Sequence, residues 1–169
     1  MKLQINPNYK PDKSTLDKDG YNNNCAKCAI AFEAYMRGGD VQANQFRFGH
    51  SDDIDKSRYI NKAFGVPSSE IYMVGRPKRD QVVREIELTM LEDFGDGSRA
   101  ILQIQSGANK HCMNVLNDNG VIKIVDAQSG EYGSVAKMLR GLSTKQVNLF
   151  RVDDMPIDPE WAKWAYTEI

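Results

Sequence analysis

An α+β domain is the fold class that the sequence predicts, and three features predict it. A helical pattern opens after Asn22-Asn23-Asn24 and closes at Gly38-Gly39, and a second helical period runs from Asp80 to Phe94. From Arg99 onward the apolar residues fall instead into short runs separated by turn residues, as in an antiparallel sheet of at least four strands. The chain has 169 residues, 41% of them hydrophobic, which is enough for one domain with a proper core. Its 22 basic and 23 acidic residues leave a net charge of −1, so no basic excess favours nucleic acid or an anionic membrane. No apolar run approaches the roughly 20 residues of a membrane span, and Met1–Pro7 lacks the apolar core of a secretory signal. Three cysteines, a small and odd number, argue for free thiols in a reducing compartment where the protein is made.

Taken in order, residues 1–20 are polar, carry Pro7 and Pro11 and show no period, which predicts an irregular lead-in on the surface before a single domain over 21–169. In the first helix Cys28, Ala29, Phe32, Tyr35 and Met36 recur at helical spacing as one apolar stripe. Asn is a favoured N-cap and Gly a favoured C-cap. Asp40–Asn44 reads as a short extended piece. The polar stretch 44–77 resists assignment apart from a short helix around Ser57–Phe64, and a connection that long is more often functional than idle. Val82, Val83, Ile86, Met90 and Phe94 mark one face of the second helix, which Gly95-Asp96-Gly97-Ser98 ends. Arg99–Gln105 alternates as a half-buried strand. Then His111–Leu116 and Val121–Asp126 flank Asn117-Asp118-Asn119-Gly120, and Asn-Gly between apolar runs signals a hairpin. A helix-like Ser134–Leu142 and a strand Gln146–Val152 follow, and Asp158 with Pro159 starts a terminal helix bearing Trp161 and Trp164.

Two of these elements carry chemistry. Cys25 lies in the first turn of the first helix, where backbone N–H groups and the helix dipole favour a thiolate. In the hairpin, a four-residue turn sets His111 opposite Asp126, and a two-residue turn at Asn119-Gly120 sets Asp126 diagonal to it. In both registers the two share a face with Met113, Val115, Ile122 and Ile124, the core side. A thiol, an imidazole and a carboxylate are the parts of a Cys-His-Asp catalyst: the imidazole takes the thiol proton and the carboxylate fixes its tautomer. Asn24 is a candidate for binding an oxyanion. Gln128 is a candidate for orienting the imidazole or, in the favoured reading, for hydrogen-bonding backbone.

Asn24-Cys25-x-x-Cys28-Ala29-x-Ala31-Phe32-Glu33, followed by Arg37-Gly38-Gly39-Asp40-Val41-x-Ala43, resembles the opening motif of the papain-fold toxin domains of bacterial polymorphic toxins and phage-borne effectors. The resemblance continues through Gly97-Ser98-Arg99-Ala100, His111-x-x-Asn114-Val115-x-Asn117-x-x-Gly120, Val125-Asp126-x-Gln128-x-Gly130 and Arg151-Val152-Asp153. It implies a papain-like fold with the catalytic helix packed on an antiparallel sheet, a Cys25-His111-Asp126 triad, no cofactor, and deamidation of a glutamine side chain on a target protein. It also brings in an immunity protein as a further partner, and a bacterial or phage-encoded effector made in the cytoplasm and delivered to a target cell. Lys110 stands where such domains commonly have Gly, with Gly107 three residues earlier, and Cys112 where a bulkier apolar residue is more usual.

Other readings compete. Cys25-x-x-Cys28 has zinc-knuckle spacing, and His50, His111 and Cys112 would supply the remaining ligands. Adjacent strand residues point to opposite faces, however, so His111 and Cys112 are not expected to reach one ion without a bulge. A thioredoxin-like dithiol would follow a buried strand, and here the motif follows Gly20-Tyr21-Asn22-Asn23. A non-catalytic interaction or phage structural module is the alternative of another class. Cys28 is the alternative nucleophile, but its place on the apolar stripe would raise its pKa, which favours Cys25. The same site could instead serve a cysteine peptidase, an isopeptidase or a glutamine-linked acyl transfer, since all pass through a thioester.

Overall fold

The computed structural model describes residues 4–11, 20–67, 77–106 and 109–169. Parts of the lead-in, of the 44–77 stretch and of the loop holding Gly107 lie outside the described residues. The elements in chain order are α1 (Cys25–Met36), β1 (Val41–Ala43), α2 (Ser51–Arg58), a 3₁₀ turn (Ile60–Phe64), and α3 (Arg79–Leu88), which runs on as a π-helical turn (Thr89–Phe94). After them come β2 (Arg99–Ser106), β3 (Asn109–Asp118), β4 (Val121–Asp126), β5 (Glu131–Ser134), α4 (Val135–Met138), β6 (Ser143–Arg151), α5 (Pro159–Ala165) and β7 (Tyr166–Glu168). Five strands form one antiparallel sheet in the order β5-β4-β3-β2-β6, and β1 pairs with β7 in a separate ribbon. The expected α+β class stands. Among the described residues no helix is long and apolar enough to cross a membrane.

The sheet is covered on both faces. On one, Val82, Ile86 and Met90 of α3 and its continuation pack against Leu102, Ile104, Met113, Val115, Ile124 and Leu149. On the other, Ala26, Ala29 and Ile30 of α1 pack against Ile101, Cys112 and Phe150, with Trp164 of α5. The strand over Arg99–Gln105 is therefore buried on both sides rather than half-buried, because a helix lies over each face. Gln103, on the side that alternation alone would leave to water, is only 4% exposed.

The first helix departs from its expected single stripe in the same way. Every residue from Ala26 to Ala34 is buried, Lys27 and Glu33 included, while Met36 at its end is 40% exposed. The layout explains this: the sheet, α5 and the β1–β7 ribbon surround α1. Its C-terminus ends in a Schellman motif, with Gly38 N–H on the Tyr35 carbonyl, Gly39 N–H on the Ala34 carbonyl, and Gly38 at φ 94°. Asn24 at the N-terminus makes no side-chain cap, contrary to its expected role.

The lead-in is not all surface: Ile5 and Asn6 are buried against α1 and the turn after β4. In the 44–77 stretch, the short helix expected around Ser57–Phe64 proves to be the end of α2 followed by the 3₁₀ turn, with Gly65 in left-handed conformation after it. The terminal helix starts as the sequence implies, with the Asp158 carboxylate accepting from the N–H groups of Glu160 and Trp161.

Candidate active site

The hairpin takes the two-residue turn. Asn117 pairs with Ile122 and Asp118 with Val121, leaving Asn119 and Gly120 at φ 51° and 86°, both positive as a type I′ turn requires. The Asn117 side chain holds the hairpin to the preceding loop: its amide donates to the Met90 and Gly95 carbonyls, and its oxygen accepts from Gly120 N–H. Asn114 ties β3 to the first helix, donating to the Ala29 carbonyl at 3.0 Å. That tie lays α1 across β3 with Cys25 near His111.

His111 Nε2 lies 2.8 Å from Asp126 Oδ2. The other carboxylate oxygen, Oδ1, accepts from the backbone N–H groups of Gln128 at 3.0 Å and Ser129 at 3.3 Å. Asp126 is thus fixed at both ends by the turn that terminates β4, and it presents one oxygen to the imidazole. Cys25 and His111 line one cavity, and the Lys110 carbonyl lies 4.0 Å from Cys25 Sγ. Because Asp126 occupies Nε2, the sulfur is left to Nδ1.

The electrostatics favour a thiolate–imidazolium pair. The Cys25 pKa is held well below the usual thiol value, first by the hydrogen bond with Cys112 and then, against the opposing effect of burial, by the hydrogen bond and charge of His111. Burial alone would lower the imidazole, but hydrogen bonds with Asp126 and Cys25 overcome it and push His111 up to about 10. The Asp126 carboxyl sits below its usual range despite burial, because His111 and the two turn N–H groups bind its charged form. Cys28 goes the opposite way. It is buried at 1% exposure among Ala31, Phe32 and Val41, and burial pushes its thiol well up.

Cys25 and His111 open into a cavity of about 590 Å³ whose walls include Phe46, Ile54, Arg58, Tyr59 and Gln128. The unassigned stretch therefore supplies one wall. It is anchored by Asp53, fully buried, which accepts from Lys27 Nζ at 2.8 Å, Arg47 at 2.6 Å and Trp164 Nε1 at 3.1 Å. Together these bonds hold the Asp53 carboxyl far below its usual range even though it is desolvated. No sequence pattern announces this cluster, whose members come from α1, α2, α5 and the loop before α2.

The Asn24 side chain does not face the cavity chemistry. Its amide donates to Asn6 Oδ1 and the Asn44 carbonyl, and its oxygen accepts from Asn6 and, at 3.4 Å, from Gln128 Nε2. Asn24 makes no side-chain cap to α1, and the positive end of the helix dipole lies at the first turn, where Cys25 sits. Gln128 joins this scaffold through its side chain and through its carbonyl, which accepts from Asn6.

The zinc ligand set is not assembled. Cys28 turns away into the cluster behind the helix, His50 is exposed at the start of α2, and no group of three His, Cys, Asp or Glu among the described residues is arranged to hold a metal ion. Along β3 the pairing with β2 runs unbroken past both residues, Gln103 to Cys112 and Ile104 to His111, so the two neighbours lie on opposite faces as strand alternation requires.

The family model described as papain fold toxin 1, glutamine deamidase, matches residues 23–131. The chain belongs to that family. The matched span begins just before Cys25 and ends just after Asp126, so it takes in the helix, the cavity wall and the hairpin of this papain-fold toxin domain. No match is found among the curated proteins. Membership makes the domain an enzyme of the glutamine deamidase type with a protein target.

Proposed function

We propose that the domain deamidates a glutamine side chain of a target protein by a cysteine-dependent route, with Cys25 as nucleophile, His111 as general base and acid, and Asp126 as the group that orients His111. The observation that carries this reading is the line Cys25–His111–Asp126, closed by the 2.8 Å contact to Asp126 and open to the cavity at Cys25. The thiolate adds to the glutamine Cδ, and the oxyanion that forms lies toward the uncapped first turn of α1. The His111 imidazolium gives its proton to the departing ammonia, leaving a thioester. Neutral His111 then takes a proton from water, which attacks the thioester to release glutamate and regenerate the thiolate. Among the described residues, the cavity walls carry the side chains of Arg58 and Lys110 and no carboxylate, which favours a target segment with acidic residues beside the reactive glutamine.

The test is to incubate the wild type and Cys25→Ala with lysate of a candidate target cell and to follow protein masses. A Cys25-dependent gain of about one mass unit at Gln, with ammonia released and no new termini, is the outcome expected for amide-to-acid conversion. Cleaved chains with new N-termini would overturn it in favour of a cysteine peptidase.

A further inference from the structure

The start of α1 carries Cys25 and the turn that ends β4 holds Asp126, and the two are far apart in the chain. A residue of the lead-in joins them. Asn6 and Asn24 are buried, at 7% and 1% exposure, with their side-chain amides paired in both directions. Asn6 Nδ2 donates to Asn24 Oδ1 at 3.2 Å, and Asn24 Nδ2 donates to Asn6 Oδ1 at 3.1 Å. The same Asn6 Nδ2 lies 2.8 Å from the Tyr21 carbonyl and 3.1 Å from the Gln128 carbonyl. Gln128 in turn gives its backbone N–H to Asp126 Oδ1 at 3.0 Å. A path of hydrogen bonds therefore runs from Asn24, next to the nucleophile, through Asn6 and Gln128 to Asp126. The direct link from Gln128 Nε2 to Asn24 Oδ1 is longer, at 3.4 Å.

Valence fixes the orientation of Asn6. Three oxygens converge on its Nδ2, so reversing the amide would set its own oxygen against all three. The lead-in is held on either side of it. The Ile5 carbonyl accepts from Ala43 N–H at 2.8 Å, and the Ile5 side chain is buried with Cys28, Phe32, Val41 and Ala127. Further along, Lys10 N–H donates to Asn22 Oδ1 at 3.0 Å, and Asn22 Nδ2 donates to the Lys10 carbonyl at 2.7 Å. The matched family span starts at residue 23, so this part of the chain lies outside it.

We propose that Asn6 is a positioning residue of the active site, which ties the start of α1 to the turn after β4 and so fixes Cys25 relative to Asp126. The inference rests on the reading of Cys25, His111 and Asp126 as the catalytic groups. Asn6 acts through Asn24 and Gln128, not by contact with the reacting atoms.

The experiment combines an NMR titration of the His111 imidazole with the rate of Cys25 alkylation by iodoacetamide, read by mass spectrometry. It compares the wild type, Asn6→Asp, Asn6→Ala and Glu33→Gln, all below their melting temperatures. Asn6→Asp keeps the shape of the side chain but sets an oxygen where Nδ2 stood, against the oxygens of Tyr21, Gln128 and Asn24. With the turn released, Asp126 holds the imidazolium less well, and the His111 midpoint should fall by about one pH unit, a tenfold change in its proton equilibrium. With the start of α1 freed, Cys25 alkylation near neutral pH should slow by about tenfold, since small displacements of paired groups carry costs of that size. Asn6→Ala should show the same shifts, and it decides the outcome if Asn6→Asp fails to fold. Glu33→Gln removes a buried partner nearer the other end of α1, so it should melt lower but leave both readouts at their wild-type values. In an Asp126→Asn background the Asn6 substitution should no longer move the His111 midpoint, because the group it positions there is gone. Unchanged readouts in Asn6→Asp would overturn the proposal, as would equal shifts in Glu33→Gln or a midpoint shift that persists with Asp126→Asn. The assays need no substrate, so the two readings can fail separately. A wild type in which Cys25 is not the fast thiol sinks the catalytic assignment, whereas a fast Cys25 insensitive to Asn6 sinks this inference alone.

Discussion

Replacing Asp126 with Asn tests whether the carboxylate does chemistry or only holds a turn, and the geometry decides what the replacement does. Oδ1 accepts two backbone N–H groups, from Gln128 at 3.0 Å and Ser129 at 3.3 Å. The Asn oxygen must take that side, because turning its NH₂ there would set donors against two buried donors at about 1–3 kcal/mol each. The NH₂ then stands where Oδ2 stood, 2.8 Å from His111 Nε2. A donor at that place selects the neutral tautomer protonated on Nδ1, the nitrogen that has to take the Cys25 proton. The imidazolium also loses the hydrogen bond and charge that, with Cys25, outweigh burial to hold it at about 10.

The expected result is a folded protein with turnover lowered by roughly 10³–10⁴, the scale of the same change in a Ser-His-Asp site. The chain has 2 histidines, so an NMR titration of the imidazole resonances resolves His111 from His50 without ambiguity. In the wild type the His111 midpoint should lie near 10, and in Asp126→Asn it should move down toward the ordinary value. The linkage sign follows. A raised imidazolium pKa contributes its stability in full below about 6.5 and loses it as pH rises through about 10, so the wild-type stability margin over Asp126→Asn should shrink across that interval. Turnover within tenfold of wild type, together with an unmoved His111 midpoint, would refute the orienting role and leave Asp126 a turn residue.

Two further outcomes are expected. Glu33 is fully buried and accepts from Arg37 Nε at 2.9 Å and from Arg99 Nε and Nη2 at 2.8 and 2.7 Å, so Glu33→Gln should cost about 3 kcal/mol by urea unfolding and lower Tm by about 6–12 °C. The alkylation rate of Cys25 in the folded fraction should not change, and a cost under about 1 kcal/mol would mean that water screens the cluster. In the native wild type near neutral pH, iodoacetamide should modify Cys25 well before Cys28, whose thiol is buried and raised, and preferential labelling of Cys28 would move the nucleophile one turn along.

What the sequence made legible was local, and what it hid was set by layers. The Asn119-Gly120 turn, the Gly38 stop and the Asp158-Pro159 start each depend on a few consecutive residues, and each is found where those residues put it. The approach of His111 to Asp126 was legible because a hairpin keeps neighbours in sequence as neighbours in space. The burial of Lys27 was not, since its partner Asp53 follows 26 positions later on another helix. Nor was that of Asn6, which donates to the carbonyl of Gln128. Several of the motif residues outside the proposed triad prove to be such long-range fasteners. Glu33, Arg37 and Arg99 pin the first helix to β2 and to the carbonyls of Val152 and Met155, Asp153 accepts from Arg99 N–H, and Asn114 and Asn117 fix the hairpin.

The misjudged residues share one physical cause. Alternation in a strand tells which side chains lie on the same face, but not whether a second layer covers that face. With water assumed on the far side of β2, Gln103 reads as a solvated polar residue. With α1 laid over it, the same residue is a buried amide that must find partners, and it donates to the Ser57 carbonyl. Cys112 obeys the same rule: the β2–β3 pairing runs unbroken from Arg99↔Leu116 to Ser106↔Asn109, so alternation sets it on the opposite face of β3 from His111. What alternation could not tell is that α1 covers that face, so that Cys112 is 3% exposed in the cluster against which Cys25 packs, while His111 shares with Cys25 the wall of the cavity. The pattern of a strand assigns faces; only the layer laid over each face decides which of them is core and which is site.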